Sequence, residues 1–151
     1  MFSGLFAFVG RIMLALIFII SGAFKLGDVG GTGQYMASVG LPANLALPAA
    51  LFELVGGICV ALGIFTRIWA LLLAGFCLLT SLLFHRETAD VLQATAAMKN
   101  VAIAGGFLCL FAYQGKAWSL DAMRQRRRDE IVARRAVDRA RPTDQVGVGA
   151  G

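Results

Sequence analysis

Ionisable side chains are nearly missing from the first 115 residues. Only five basic residues (Arg11, Lys25, Arg67, Arg86, Lys99) and four acids (Asp28, Glu53, Glu87, Asp90) interrupt that stretch. A soluble domain draws about a quarter of its residues from the charged types. This chain has 15% charged and 58% apolar residues, with a mean hydropathy of +0.75, so a water-soluble fold is excluded. Cysteine is sparse too. Cys59, Cys77 and Cys109 stand singly inside apolar runs, with no CxxC pair and no His/Cys cluster at ligand spacing. That excludes a disulfide framework, an iron–sulfur run and a zinc site, and leaves three thiols that behave as small buried hydrophobes. No metal site is expected. No flavin or dinucleotide fingerprint and no haem-attachment CxxCH occurs, so the chain encodes no cofactor site of its own.

What the chain does have is four long apolar runs. Residues 5–24 carry one charge, Arg11, and about 20 residues at about 1.5 Å each cross a hydrocarbon core of about 30 Å. The first span is therefore placed at about 5–25. Ser21-Gly22-Ala23 imitates a signal-peptide cleavage site, but no basic residue precedes Arg11 and the run exceeds a usual h-region, which favours an uncleaved span. Residues 27–42 contain five glycines and end on Pro42; they read as a loop, with a short interfacial helix around 34–38. Gly30-Gly31-Thr32-Gly33 lacks the strand and the Gly-Lys-Ser/Thr signature of a phosphate loop and reads as a connector. The second span, about 45–65, holds Pro48 in its first turn, where a missing N–H is tolerated. Thr66-Arg67 leads straight into the third span, 68–85, so these two are expected to form a tight antiparallel hairpin. A fourth span follows at about 96–113. The expected fold is all-α, a four-helix transmembrane bundle over residues 1–115, with a basic tail from 116 to 151. That tail can be helical over 120–140 and is expected to be disordered after about 141.

Nine of the 14 basic residues lie after position 115. Putting them in the cytoplasm with Arg67 and Arg11 as topology anchors places both termini inside, and the segments 27–42 and 85–95 outside. Arg11 is expected to snorkel to headgroups. Membrane lipid is the simplest partner for the tail, and nucleic acid the weaker reading. Glu53 is the acid that matters. About eight residues into its helix, it sits roughly 12 Å deep, beyond the reach of snorkelling, and must face the bundle interior. Lys25, His85, Lys99 and Asn100 come to the same outer leaflet, and Ser21 shares the helix face of Lys25. Together they form a candidate polar pocket around Glu53, although an ion pair that only fixes helix register is an equal reading.

Several of these segments resemble the DoxX family of small four-helix membrane proteins, over about residues 8–113. They are Gly10-Arg11 at the start of the first span and Phe18-Ile19-Ile20-Ser21-Gly22-Ala23-Phe24-Lys25-Leu26 at its end. Tyr35-Met36-Ala37-Ser38-Val39-Gly40-Leu41-Pro42 lies in the loop, followed by Glu53-Leu54-Val55-Gly56-Gly57, Gly63-Ile64-Phe65-Thr66-Arg67 and Lys99-Asn100. The resemblance implies an inner-membrane, multi-pass protein linked to sulfur and quinone redox chemistry or to envelope oxidative-stress complexes. The expectation that follows is a redox-associated membrane subunit whose outer pocket takes a quinone or a similar small molecule. Its electrons would come from a partner, such as an envelope redox protein, with a homo-oligomer as another arrangement. The alternative is a non-catalytic membrane scaffold or assembly factor for a partner protein; solute transport is weaker, since four helices leave little room for a pathway. Catalytic residues stay unassigned. The tail lies outside the resemblance.

Overall fold

The computed structural model describes residues 2–84, 91–113 and 120–140. Six α-helices and one short 3₁₀ turn make up these segments: α1 (Phe2–Gly27), α2 (Val29–Ser38), the turn Ala43–Leu45, α3 (Ala46–Leu62), α4 (Thr66–Phe84), α5 (Val91–Tyr113) and α6 (Leu120–Ala140). No strand occurs among the described residues, and the fold is all-α. Four stretches are long and apolar enough to cross a membrane, Gly4–Gly27, Ala43–Leu62, Thr66–Leu83 and Val91–Ala112. Large apolar side chains such as Phe6, Phe24, Leu72 and Leu82 stand exposed around the bundle, which suits lipid and not water as the surrounding solvent. His85 and residues 141–151, the segment expected to be disordered, lie outside the described residues.

The helix pairing differs from the expected hairpin. α3 and α4 are joined by a short turn, yet the close backbone contacts run between α1 and α3 and between α4 and α5. Glycine on one side and aromatic rings on the other explain this. A Cβ on Gly22 would stand 2.7 Å from the Leu54 nitrogen, and one on Gly57 would stand 3.0 Å from the Ala15 oxygen, so the bare backbones of α1 and α3 touch. Between α3 and α4 lie Phe52, Trp69 and Phe76, with ring centroids 5.7 Å (Phe52–Trp69) and 5.3 Å (Phe52–Phe76) apart. These hold the two backbones apart while filling the space. Phe18 and Phe107 meet edge-on at 5.4 Å and tie the two helix pairs together, inside a core completed by Ala15, Val60, Leu73, Ala74 and Ala104. Gly75 and Gly105 meet nothing within 4 Å.

α3 stops at Gly63, whose left-handed φ of 72° lets Gly63 N–H reach the Val60 carbonyl at 3.1 Å and Ile64 N–H reach that of Cys59 at 2.8 Å. This is a Schellman closure. Asp121, from the far side of α5, then caps the next helix. Its Oδ2 accepts from the Thr66 N–H at 3.0 Å and from the Thr66 hydroxyl at 3.3 Å, while its own N–H donates to the Gly63 carbonyl at 3.1 Å. Thus α6 is fastened at its first turn to the α3–α4 corner. Asp121→Ala should lower stability by about 0.5–2 kcal/mol, the range for loss of a helix cap, and Asp121→Asn by less, as read from thermal unfolding in mild detergent. Equal melting of wild type and Asp121→Ala would remove the cap from the account.

Arg11 is corrected by the same corner. It does not snorkel: at 2% exposure it is one of the largest fully buried side chains. It sits nine positions after Phe2, roughly 14 Å along the helix. Its guanidinium packs 5.4 Å from the Phe8 ring centroid and interacts electrostatically with Asp121. This end of the bundle therefore holds a buried charge. Arg67, exposed on α4, lies 4.8 Å from the Phe111 ring centroid and bridges α4 to α5 at that end.

Candidate functional site

The glycine-rich segment after α1, expected to be a loop with one short helix, is helical from Val29 to Ser38. Asp28 makes that possible as the N-cap. Its carboxylate accepts from the Gly31 N–H at 2.8 Å and its carbonyl from the Thr32 hydroxyl, also at 2.8 Å, which offsets the poor helix propensity of three glycines. Packing contributes as well. Gly33 is buried, with the Ala43 carbonyl 3.1 Å from where its Cβ would stand, and Met36 turns into the protein. α2 thereby forms a wall of a cavity at this end of the bundle.

That cavity has a volume of about 300 Å³ and draws its lining from five helices. α1 supplies Ile17, Phe18, Ser21 and Lys25; α2 supplies Thr32, Tyr35 and Met36; α3 supplies Glu53; α4 supplies Phe76, Cys77 and Thr80; α5 supplies Asn100 and Ile103. Glu53 is 1% exposed, and the Lys25 ammonium donates to its Oε1 in an ion pair across α1 and α3. Lys25 is only partly covered, with a third of its side chain exposed, so the pair joins a buried acid to a base at the rim. Opposite, the Asn100 amide donates to the Thr80 hydroxyl at 3.3 Å, and that hydroxyl donates in turn to the Phe76 carbonyl at 2.9 Å. Among the described residues no three His, Cys, Asp or Glu side chains gather as a metal-ligand set.

The structure brings Ser21, Lys25, Glu53 and Asn100 to one cavity. It leaves Lys99 out: Lys99 is exposed and does not line the cavity. Successive residues on a helix are turned by about 100°, so Lys99 and Asn100 cannot share a face. His85 is outside the described residues. Thr32, Tyr35, Met36, Cys77 and Thr80 are lining residues that the sequence reading did not single out. The loop motif containing Tyr35 and Met36 was a signal for two of them. Cys77 and Thr80, inside an apolar run, offered none.

Comparison with known proteins agrees with this architecture. The sequence model of the DoxX family matches residues 6–86. The inner membrane protein YqjF of Escherichia coli (strain K12) is 39% identical over 115 residues, covering 76% of this chain and 88% of that protein. The inner membrane protein YphA of the same organism is 39% identical over 120 residues, covering 75% and 86%. A Bacillus subtilis (strain 168) protein named "Putative oxidoreductase CatD" is 39% identical over 64 residues, covering 42% of this chain and 48% of its own. No solved structure matches the chain. With four membrane-spanning helices, a matching family model over more than half its length and two relatives covered almost end to end, this chain belongs to the DoxX family.

Proposed function

We propose that the cavity receives the head of a quinone or a similar small molecule, in a redox-associated membrane subunit that relies on a partner protein for electrons. The observation that carries this reading is the Lys25–Glu53 pair in the wall of a cavity that Phe18, Phe76, Met36 and Ile103 also line. Rings and a thioether suit a flat apolar ligand. Lys25, Asn100 and Tyr35 present donors for carbonyl oxygens, and reduction of a quinone takes up protons, for which a base and a carboxylate in contact are suited. A volume of about 300 Å³ is at the small end of ligand pockets, the size of a head group and not of a whole lipid-soluble cofactor. The name of the Bacillus subtilis relative supports a redox setting.

The test is titration of detergent-purified protein with a short-chain quinone, followed by calorimetry. Wild type should bind, and Glu53→Gln should weaken binding by about ten-fold, equivalent to about 1.4 kcal/mol. Binding that is indifferent to Glu53→Gln would sink the site. Absence of any binding favours the scaffold alternative, in which Lys25–Glu53 only sets helix register.

The proposed setting is the inner membrane, as for the two Escherichia coli relatives, with both termini in the cytoplasm. Arg11, Arg67 and the start of α6 at one end of the bundle support that orientation. A tag at position 30 should be accessible from outside and one at the C-terminus only from inside. The reverse pattern would overturn it.

A further inference from the structure

We propose that α6 is a lipid-binding helix that lies on anionic headgroups at the α3–α4 end of the bundle. Its position comes first. Through Asp121 it begins at the corner where α3 ends and α4 starts, which is where two membrane-spanning helices meet the headgroup layer. Arg124, Arg127 and Arg128 follow within the next two turns of the helix, about 11 Å of helix at most. They remain about a Debye length from that layer whichever way the helix points.

The pattern on the helix decides what it binds. At about 100° per residue, Arg124, Arg127, Arg128, Arg134, Arg135 and Arg139 fall within an arc of about 140°. Only Arg126 of the helix's seven arginines stands outside it. Ile131 lies in the middle of that arc. Its neighbours three and four residues away in both directions are Arg127, Arg128, Arg134 and Arg135, and it is 50% exposed. An apolar side chain ringed by four guanidiniums fits a membrane surface, where it enters the acyl boundary while the arginines meet phosphates. A nucleic-acid backbone would gain from the arginines and nothing from the isoleucine. The acids do not cancel the face: Asp129 is on the opposite side among Ala122, Ala133 and Ala136, Glu130 is on the flank, Asp138 shares the arc only at the far end of the helix, and Asp121, at the edge of the arc, is engaged by Thr66.

Residues 123–139 are exposed throughout, so α6 receives no packing from the bundle beyond its first turn. Most helical stability in proteins comes from tertiary packing, which this part of α6 lacks. Docking on an anionic surface supplies the stabilisation that the bundle does not.

Full-length protein in nanodiscs, followed by amide hydrogen exchange over residues 123–139, tests this. Exchange should slow at least about ten-fold on passing from pure phosphatidylcholine to a phosphatidylcholine–phosphatidylglycerol mixture, and the protection should fade at high salt. Ile131→Ser should lose part of it. Replacing Arg127, Arg128, Arg134 and Arg135 together by Gln, which keeps helix propensity, should abolish it, while exchange in α1, α3, α4 and α5 shows that the bundle is still folded. Equal exchange in both lipids, or protection insensitive to salt, would overturn the proposal. So would protection that requires added duplex RNA in neutral discs. Quinone titration is independent of all these outcomes.

Discussion

Lys25→Met is expected to destabilise the protein by about 3–5 kcal/mol, the cost of stranding a buried charge, and so by more than Glu53→Gln. The two ends of this ion pair are unequally placed. Glu53 is almost wholly enclosed, whereas about a third of the Lys25 side chain is already exposed, on the helix that leads directly into the interfacial α2. Removing the ammonium leaves the carboxylate where it cannot reach water. Removing the acid leaves a long, partly exposed lysine that can swing to the headgroups. Glu53→Gln, which keeps an acceptor for Lys25, should therefore cost only about 1–2 kcal/mol. The double variant Lys25→Met with Glu53→Leu should recover much of the loss, because a well-packed apolar pair can replace a buried ion pair at little cost. Denaturation midpoints of the three variants in mild detergent give the ordering. If Glu53→Gln falls as far as Lys25→Met, the burial asymmetry does not govern the pair.

That pair was within reach of sequence reasoning because depth can be computed from a helix start and a rise per residue. The same arithmetic made four spans legible from four apolar runs. What it cannot do is say which face of an apolar helix meets which neighbour. α5 is apolar over most of its surface, so its periodicity barely marks the face that carries Asn100, and Lys99 one residue earlier draws attention to the wrong side. Arg11 was misjudged because its helix begins earlier than the apolar run suggests, which moves it inward. α2 was hidden by its own composition: glycines that are poor helix formers in isolation are needed where Gly33 lies against Ala43, and tertiary packing decides the outcome. Asp121 reads as one more acid in a charged tail. Its partner Thr66 is 55 residues away, and no local pattern links a helix cap to a donor of that kind.

Gly22 and Gly57 carry the other large effect. Each stands where α1 and α3 meet backbone to backbone, and a methyl group on Gly22 would come within 2.8 Å of the Ala50 carbonyl as well as 2.7 Å of the Leu54 nitrogen. On Gly57 the obstacles are the Ala15 oxygen and the Ile19 nitrogen, both at 3.0 Å. A side chain in the way can change rotamer; a backbone cannot, so the helices themselves must separate. Gly22→Ala and Gly57→Ala should each cost about 1–3 kcal/mol, in the range of core overpacking and against the gain that Ala gives in helix propensity. Gly75→Ala and Gly105→Ala, where nothing lies within 4 Å, should be neutral or slightly stabilising. Thermal unfolding of these four proteins separates packing from propensity, and a Gly22→Ala protein as stable as Gly75→Ala would refute the α1–α3 contact. Function should follow stability here for a geometric reason. Lys25 rides on α1 three residues beyond Gly22, and Glu53 rides on α3 beside Leu54, so a wedge at Gly22 pulls directly on the ion pair and weakens ligand binding even in protein that stays folded. Gly57 lies four residues beyond Glu53, about one turn deeper, so its Ala variant should unfold as readily yet disturb the cavity less. Because both wedges open the same interface, the double variant should cost less than the sum of the two.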